Sequence, residues 1–431
     1  MKRTVFVMLP NPSHYMAAFG YAHQLRKTGE AVAFTGTFEL RELITDEGFD
    51  FFLFEYAIEY RIKSFFSFLG MFLKSIADHS FLRRRLREFG NYTTETQRLI
   101  HYYNPSQIYL DEHLAEYYFF LQKPSVEIIL LNTKFSTKMR ENVPPLNSQF
   151  IPFNGRISKA WVFILWSIHL ANLRWQEVLL SIAFLGKDDL HFFKRHCKRN
   201  RIDWRDKIDF KHCFYRTISC QKTVVLCHKE LDFKFESQKN FERYIPPQAR
   251  KNESKYLTPG ITKLLNEMAV IKVNKKIIYC SFGTIPQNRS DTLGQFFHKL
   301  LRVASSRTDL YFIISKSKLQ FQFSDQRNVQ FFDFVPQYEI LKYTDIMITH
   351  GGMNSINECL ELNVPMYVLP LNLKTDQPGN AARILHKGYG VTGNLRFETK
   401  DRISQKLDRL LEGSDRIKEN MRMLLNKLST L

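Results

Sequence analysis

Paired cysteines are missing from the sequence. Its six cysteines are scattered and form no Cys-x-x-Cys pair: Cys197, Cys213, Cys220, Cys227, Cys280 and Cys359. Histidines beside some of them, such as His196 and His228, match no standard zinc spacing, so no metal site is expected. Without paired cysteines or an N-terminal signal segment, we expect a protein of the reducing cytoplasm.

Long apolar runs are missing too. The most apolar segment, residues 161–171, is followed by Asn172, Arg174 and Glu177. No run reaches the ~18 uncharged residues that a membrane span requires. The segment therefore predicts a buried or interfacial helix rather than a span.

Acidic residues are too few to balance the basic ones. The 62 lysines and arginines exceed the 43 acids, which gives a formal net charge of +19. A basic surface attracts nucleic acid, anionic lipid or a nucleotide-sugar. Because the basic residues are spread along the chain and no nucleic-acid-reading motif occurs, nucleic acid is not expected as a partner.

The sequence does contain a regular alternation of strand and helix patterns, and its 431 residues suggest two domains. The predicted strands of the first half are 4–9, 31–35, 50–54, 107–110 and 126–131, with helices at 15–27 and 37–47. Those of the second half are 276–281, 310–314, 329–332, 346–349 and 366–369. The pattern predicts an α/β fold of two doubly wound, Rossmann-like domains, 1–243 and 261–431. The proline-containing linker 244–260 joins them, and a cleft is expected between them.

One strand-end loop of the second half has the composition of an anion site. The predicted strand 346–349 runs into a glycine turn and a helix start: His350, Gly351, Gly352 and Asn354. Glycines let the backbone approach a ligand, and a helix start offers N–H groups with partial positive charge, which suits a diphosphate. His350 and Ser355 add side-chain donors, and Glu358 suits the two hydroxyls of a ribose.

Two further loops follow strands of the same half. Asp376 and Gln377 can accept from and donate to neighbouring sugar hydroxyls, and the loop with Ser281, Gly283 and Thr284 can face phosphate. Taken singly, each of these patterns is common in proteins. Their order and spacing along the chain are therefore more informative than any one of them.

In this order the motifs resemble the nucleotide-sugar signature of the UDP-glycosyltransferase superfamily, which has the GT-B fold. The signature runs from aromatic-x-Pro-Gln through His-x-Gly-x-Asn-Ser-x-x-Glu to Asp-Gln. The resemblance implies a nucleotide-sugar-binding C-terminal domain in which Phe334 stacks on uracil and Gln337 contacts the base or ribose. It also implies roles for the diphosphate ligands His350, Asn354 and Ser355, for the ribose ligand Glu358 and for the sugar ligands Asp376 and Gln377. Phe334 is smaller than the tryptophan of many plant members, and the loop before Asp376 is longer than theirs.

A histidine and an acid in the first half suit the chemistry of such a transfer. His14 follows the first predicted strand, and Asp111 ends the strand at 107–110. A neutral imidazole can take the proton of an attacking hydroxyl near pH 7, and a carboxylate on its other nitrogen fixes the tautomer. The resemblance implies the same pair, although Ala17 replaces the usual proline and Glu112 is a neighbouring acid.

The expected reaction is a single inverting displacement that transfers a hexose, glucose in first place, from a UDP-sugar to an apolar acceptor. No Asp-x-Asp motif occurs, so neither a metal nor another cofactor is expected. The sequence around Asp111, Asn132 and Arg140 resembles bacterial zeaxanthin-type glucosyltransferases, which implies a carotenoid, polyene or lipid acceptor. The phenylalanine- and arginine-rich residues 61–90 suggest peripheral contact with an anionic membrane on its cytoplasmic side.

Other functions stay open at this point. The acceptor is alternatively a macrolide- or flavonoid-like molecule, as in macrolide glucosyltransferases. The chain is alternatively a non-catalytic nucleotide- or lipid-binding relative, or a sugar-nucleotide epimerase of GT-B fold. The His14–Asp111 pair favours a transferase, since neither of the last two needs it.

Overall fold

The computed structural model describes residues 1–56, 62, 64–205, 207–214, 216–219, 221–234, 241–247, 257–283, 290–317 and 326–429. The chain divides into two compact units. Unit 1 contains Met1–Pro145, Gly155–Leu226 and Phe235–Pro247, and unit 2 contains Leu146–Asn154, Cys227–Lys234 and Gln248–Leu431. Two segments that we assigned to the N-terminal domain, Leu146–Asn154 and Cys227–Lys234, are thus part of unit 2.

Unit 1 contains a parallel sheet with the strand order β3-β2-β1-β4-β5-β8-β9. Its strands are β1 Arg3–Val7, β2 Ala31–Gly36, β3 Asp50–Leu53, β4 Gln107–Asp111, β5 Glu127–Asn132, β8 Thr223–Val225 and β9 Glu242–Tyr244. A short antiparallel pair, β6 Ile208–Asp209 and β7 Thr217–Ile218, lies outside this sheet. Side chains of β1 alternate between two buried clusters, Val5 in one and Phe6 in the other, because helices cover both faces of a doubly wound sheet.

The helices of unit 1 are α1 Pro12–Lys27, α2 Arg41–Thr45, α3 Phe65–Ala77, α4 His79–Tyr103, α5 Tyr118–Leu121, α6 Arg156–Ala183 and α7 Asp189–Arg199. Helix α1 begins three residues earlier than the sequence suggested. The Asn11 side chain accepts a hydrogen bond from the Ser13 N–H, and Pro12 occupies the first helical turn, where its missing N–H costs nothing. His14 therefore lies on the first turn of α1 rather than in a loop.

Unit 2 contains a parallel sheet with the strand order β12-β11-β10-β13-β14-β15. Its strands are β10 Lys276–Ser281, β11 Leu310–Ser315, β12 Val329–Phe332, β13 Ile346–Thr349, β14 Met366–Val368 and β15 Gly390–Thr392. Every residue of β11 and β13 is buried, as expected for central strands covered by helices on both faces. The predicted α/β class of Rossmann-like doubly wound sheets is confirmed.

The helices of unit 2 are α8 Pro259–Asn274, α9 Ser290–Ser306, α10 Gln337–Leu341, α11 Met353–Glu361, α12 Gln377–Lys387, α13 Lys400–Glu412 and α14 Ser414–Ser429. Helix α14 contacts α11 and α13 within this unit, with Met421 and Leu424 buried. The sequence resemblance also implies that the last helix packs back on the N-terminal domain, and this stays a prediction.

Two observations concern membranes and metals. Among the described residues, no helix combines the length and the apolar character that crossing a membrane requires. The same residues contain no group of three or more His, Cys, Asp and Glu side chains arranged to hold a metal ion. The expectation that no metal is needed stays a prediction.

Candidate active site

Each sheet has one point at which the strand order reverses, and the predicted site residues lie there. In unit 1 this point lies between β1, which precedes His14, and β4, which ends at Asp111. In unit 2 it lies between β10 and β13, where Ser281 is paired with Thr349 in the register. Crevices beyond the carboxyl ends of strands at such points are where doubly wound sheets bind ligands.

His14 and Asp111 form a buried, hydrogen-bonded pair. The Nδ1 of His14 lies 2.6 Å from Oδ2 of Asp111, although 97 positions separate the two residues in the sequence. Their side chains are 6% and 2% exposed. Because the carboxylate occupies Nδ1, the neutral ring carries its proton there and Nε2 is left as the basic nitrogen.

The carboxyl group of Asp111 is held in its ionised form. It accepts hydrogen bonds from the backbone N–H of Leu9 at 3.2 Å and of His113 at 3.0 Å. Burial by itself raises the pKa of Asp111, but the nearby His14 and these donors outweigh burial and hold the pKa below its ordinary value of 3.8. A charged carboxylate at neutral pH is therefore available to stabilise an imidazolium on His14.

The surroundings of His14 include residues that the sequence did not single out. Thr133 Oγ lies 3.4 Å from Nδ1 of His14, and the ring of His113 packs edge-on at 5.1 Å between centroids. His113 Nε2 in turn accepts a hydrogen bond from Lys134 at 2.9 Å. Within the described part of the chain, Nε2 of His14 has no hydrogen-bond partner, as a general base requires.

Glu112, the acid next to Asp111, points into a different buried cluster. Its carboxylate accepts hydrogen bonds from Thr217 at 2.9 Å and from Thr137 at 3.4 Å, and Thr137 also contacts His212 at 2.7 Å. Burial raises the pKa of Glu112 to about 7, from an ordinary value of 4.5. The geometry therefore pairs His14 with Asp111 and not with Glu112.

The raised pKa of Glu112 predicts a pH-dependent stability. The folded chain keeps a proton on Glu112 that the unfolded chain releases, so stability present below pH 4.5 is lost as the pH rises through about 7. Glu112→Gln cannot ionise. Above pH 7 we expect its free energy of unfolding to exceed that of the wild type by up to about 3 kcal/mol, at ~1.4 kcal/mol per pKa unit.

Urea denaturation at about pH 5 and about pH 8 measures this difference. Glu419→Gln, which changes a largely exposed glutamate, is the matched control and should leave the pH profile unchanged. A Glu112→Gln variant that is less stable than the wild type at the higher pH would contradict the assignment.

In unit 2, the predicted anion site is a glycine turn followed by an uncapped helix. Gly351 has a φ of +83°, and a Cβ there would lie 2.8 Å from Val368, so only glycine fits the turn. Helix α11 begins at Met353, and no side chain caps it at Gly352. The first N–H groups of a helix have no intrahelical partner, so the start of α11 is suited to an anion.

His350 lies beside this turn as a neutral ring. Burial lowers its pKa to about 4, an effect that nearby Asp376 partly opposes. Its Nδ1 is buried and makes no hydrogen bond within the described residues. A Cβ on Gly352 would lie 2.6 Å from Nε2 of His350, and one on Gly283 would lie 3.0 Å from Cε1. His350 can therefore donate an N–H to an anion, but it brings no positive charge at neutral pH.

Three of the predicted donor-binding side chains are in direct contact. Gln337 Nε2 donates to Ser355 Oγ at 3.1 Å and to Glu358 Oε2 at 2.5 Å. Tyr279, which the sequence did not single out, donates from its hydroxyl to Gln337 Oε1 at 3.3 Å. The cluster lies on one side of α11, next to its start, because Ser355 and Glu358 are three positions apart.

The acid–amide pair Asp376 and Gln377 stands at the start of α12. Asn380 Nδ2 donates to Asp376 at 2.9 Å and to the carbonyl of Gly351 at 2.8 Å, which links this pair to the glycine turn. Gln377 Oε1 accepts the N–H groups of Leu371 and Asn372 at 2.9 and 2.8 Å. Its oxygen thus holds the preceding loop, so any bond from Gln377 to a sugar comes from its amide nitrogen.

The remaining predicted residues lie around the same strand ends. Phe334 follows β12 and is 45% exposed. Ser281 ends β10, and Gly283 beside it has a φ of +65°. Asn354 occupies the first turn of α11. Thr284 lies outside the described residues.

The C-terminal part of the chain matches a known family. Residues 311–430 match the model of the glycosyltransferase family 28 C-terminal domain. The matched range contains β11 to β15 and the predicted donor residues from Phe334 to Gln377.

Curated relatives match over shorter stretches. An uncharacterised UDP-glucosyltransferase of Bacillus subtilis (strain 168), YdhE, is 31% identical over 165 residues, which is 35% of this chain and 39% of the relative. The zeaxanthin glucosyltransferase of Pantoea ananas is 36% identical over 89 residues, which is 21% of this chain and 20% of the relative. The chain thus spans less than half the length of these relatives.

Solved structures match over the whole chain. The glycotransferase of kitacinnamycin has a TM-score of 0.67 at 16% identity, covering 100% of this chain and 95% of that one. The calicheamicin glycosyltransferase CalG4 has a TM-score of 0.63 at 14% identity, covering 100% and 94%. The solved structures confirm the expected GT-B fold, and residues 311–430 are similar to the C-terminal domain of glycosyltransferase family 28.

Proposed function

We propose that this protein is an inverting glycosyltransferase that moves a hexose from a UDP-sugar to a hydroxyl of an apolar acceptor, with glucose as the first candidate sugar. The buried His14–Asp111 hydrogen bond of 2.6 Å is the observation that carries the proposal. A nucleotide- or lipid-binding relative without activity has no use for an ionised carboxylate that orients a neutral imidazole. The superfamily relationship supplies the UDP-sugar as the donor class.

The proposed chemistry assigns the proton to unit 1. Nε2 of His14 takes the proton of the acceptor hydroxyl while the hydroxyl oxygen forms a bond to the anomeric carbon of the sugar. Asp111 stabilises the resulting imidazolium. The bond from that carbon to the diphosphate oxygen breaks, and its electron pair leaves with UDP. Attack opposite the leaving group converts an α-linked donor into a β-linked product. His14 then releases the proton to solvent.

The donor half is assigned to unit 2. The start of α11 with His350, Asn354 and Ser355 binds the diphosphate and stabilises the leaving charge, since helix starts and N–H donors favour anions. Glu358 accepts from the ribose hydroxyls, and Phe334 stacks on the uracil. The other members of this proposed site are Ser281, Gly283, Thr284, Gln337, Gly352, Asp376 and Gln377. No metal is proposed.

Donor binding is tested by Glu358→Ala. Losing a charge-assisted hydrogen bond to the ribose weakens UDP binding by about 1–3 kcal/mol, which is roughly 5- to 150-fold in Kd. Calorimetry with UDP and with ADP, with and without magnesium, measures this. Glu267→Ala, on α8 of the same unit, is the control and should bind UDP as the wild type does. Equal affinity for UDP and ADP, or a strict need for magnesium, would count against the donor site.

The acceptor is proposed to be a long apolar alcohol such as a carotenoid, polyene or lipid. The similarity to the zeaxanthin glucosyltransferase supports this class. Residues 61–87 contain seven basic residues and one acid, Asp78, which suits contact with an anionic membrane surface that holds such an acceptor. Within this segment Arg61 and Lys63 lie outside the described residues.

A second acceptor class has support from the fold comparisons. The similar structures include glycosyltransferases of kitacinnamycin and calicheamicin, and we keep a macrolide- or flavonoid-like small molecule as the alternative acceptor. Incubation with UDP-glucose, with and without alcohols of each class, followed by mass spectrometry of the products distinguishes them. Release of UDP without any acceptor product, or conversion of the UDP-sugar into its epimer, would overturn the transferase proposal.

A further inference from the structure

Helix α6 has an exposed apolar stripe along its length. The stripe follows a repeat of four and three residues: Ile157, Trp161, Ile164, Ile168, Ala171, Trp175, Val178 and Ile182. At 100° per residue these positions fall within an arc of about 100°, along a helix of about 42 Å. Its seven large side chains are between 42% and 68% exposed.

The opposite side of α6 holds the helix in unit 1. Val162 and Trp166 are 1% and 2% exposed, and the Trp166 indole donates to the carbonyl of Val143 at 2.8 Å. One side of α6 therefore packs into unit 1, and the apolar stripe on its other side stays exposed. Exposed apolar surface of this extent marks a binding surface rather than an accident of packing.

Helix α3, which packs against α6, has exposed apolar side chains of its own. They are Phe65, Phe66, Leu69, Leu73 and Ile76, between 36% and 82% exposed. A small buried cluster around Phe81 and Phe184 joins α4 to the end of α6, with Met71 of α3 packed on it. The three helices form one substructure of unit 1.

The charges of this substructure are predominantly basic. Lys74 of α3 and Arg83 and Arg84 of α4 are exposed. The stripe itself contains no charged residue, and α6 has three basic residues to one acid, Glu177. Apolar side chains flanked by lysine and arginine are typical of helices that lie in the interface of an anionic bilayer.

A second copy of the chain fits the stripe less well. In a coiled coil, the positions beside the apolar repeat face the partner helix and usually carry charges that pair with it. Here only one of those positions, Arg174, carries a charge, and another, Ser158, is buried within unit 1. Two copies with a net charge of +19 each also repel one another, and a coiled coil of α6 would leave the side chains of α3 exposed.

We propose that the apolar stripe of α6 and the exposed apolar side chains of α3 are the surface with which this protein lies on an anionic lipid bilayer. The proposal rests on the proposed function for its purpose, because an apolar acceptor is dissolved in that bilayer. On the bilayer, α6 lies parallel to the membrane plane, with Trp161 and Trp175 in the headgroup region.

Co-sedimentation with vesicles tests the surface. The wild type should bind vesicles of phosphatidylglycerol and phosphatidylcholine at low salt, bind pure phosphatidylcholine less, and lose much of its binding at high salt. Ile164→Glu/Ile168→Glu should bind anionic vesicles about tenfold or more weakly, because two apolar side chains are lost from the interface and two negative charges are added. These positions are 42% and 57% exposed, so the fold tolerates the change.

The matched control is Val270→Glu/Val273→Glu. It makes the same change at two valines of α8 that are 69% and 79% exposed in unit 2, and it should bind vesicles as the wild type does. Calorimetry with UDP on all three proteins reports the donor site separately. Failure to bind UDP would therefore count against the proposed function, whereas its retention alongside lost vesicle binding supports the surface.

Three results would overturn the proposal. In the first, the wild type shows no preference for anionic vesicles at low salt. In the second, Ile164→Glu/Ile168→Glu binds vesicles as well as the wild type does, and in the third the wild type is a dimer that this variant converts to a monomer. The last result, measured by light scattering after gel filtration, would assign the stripe to a second copy of the chain.

Discussion

In the His14→Ala variant, turnover falls by about 10²- to 10⁴-fold, the range typical of a lost general base, while UDP binds as in the wild type. The reason is that a buried carboxylate, 2.6 Å from Nδ1, orients the His14 ring and leaves Nε2 as its basic nitrogen. Steady-state rates with UDP-glucose and an accepted alcohol measure the first quantity, and calorimetry measures the second. His101→Ala, an exposed histidine of the same unit, should leave both unchanged.

Asp111→Asn provides a stricter version of the same experiment. Asparagine keeps the size of the side chain and can still accept one of the two backbone N–H groups that Asp111 binds, that of Leu9 at Oδ2 or that of His113 at Oδ1. It no longer stabilises the imidazolium or fixes the tautomer, so we expect a loss on the order of 10²-fold or more with donor affinity kept. If the turnover of either variant stayed within a few-fold of the wild-type value, a group other than His14 would have to accept the proton of the acceptor hydroxyl.

Asp232→Ala should destabilise the protein by about 3–5 kcal/mol, the cost of leaving a buried charge without its partner. Asp232 and Arg383 are fully buried, with Arg383 Nη2 2.6 Å and Nε 2.7 Å from one carboxylate oxygen. The guanidinium also lies 4.6 Å from the centre of the Phe233 ring. Asp232→Ala removes the carboxylate that this cation contacts at 2.6 Å, in an environment closed to water.

Urea denaturation measures the loss, and a partly exposed ion pair is the control. Arg307 and Asp408 are separated by 2.6 Å but are 20% and 43% exposed, so Asp408→Ala should cost no more than about 1 kcal/mol. Asp232→Ala/Arg383→Met, which removes both charges, should recover part of the stability. Equal stability of the Asp232 and Asp408 variants would mean that the buried pair contributes no more than a surface one.

Most strands of both sheets could be predicted from the sequence because each is a compact apolar run bounded by turn residues. β10, β12 and β13 have the predicted bounds 276–281, 329–332 and 346–349. The short strands β8, β9 and β15, of three residues each, were not predicted. Three residues are too few for a period of two to be recognised, and their strand character comes from pairing with a neighbour.

The residues of the candidate site could be named from the sequence, but the contacts between them could not be predicted. Sequence order fixes that Ser355 and Glu358 share a helix side, and the structure adds that Gln337 joins them. Tyr279, Thr133 and Asn380 were missed, since the relevance of each depends on a partner 29 to 119 positions away. The choice between Asp111 and Glu112 likewise depended on which way consecutive side chains point at the end of β4.

The division of the chain into units has a consequence for modular exchange among related enzymes. The N–H of Gly379 donates to the carbonyl of Leu146 at 2.8 Å, and Arg383 pairs with Asp232, so α12 is held by two segments that precede the linker. A fragment that begins at Gln248 would lack both partners, and a chimaera joined at the linker would bring them from a different parent. Unit 2 is therefore assembled from three stretches of one polypeptide, and it can be inherited or transplanted intact only together with the interleaved stretches of unit 1.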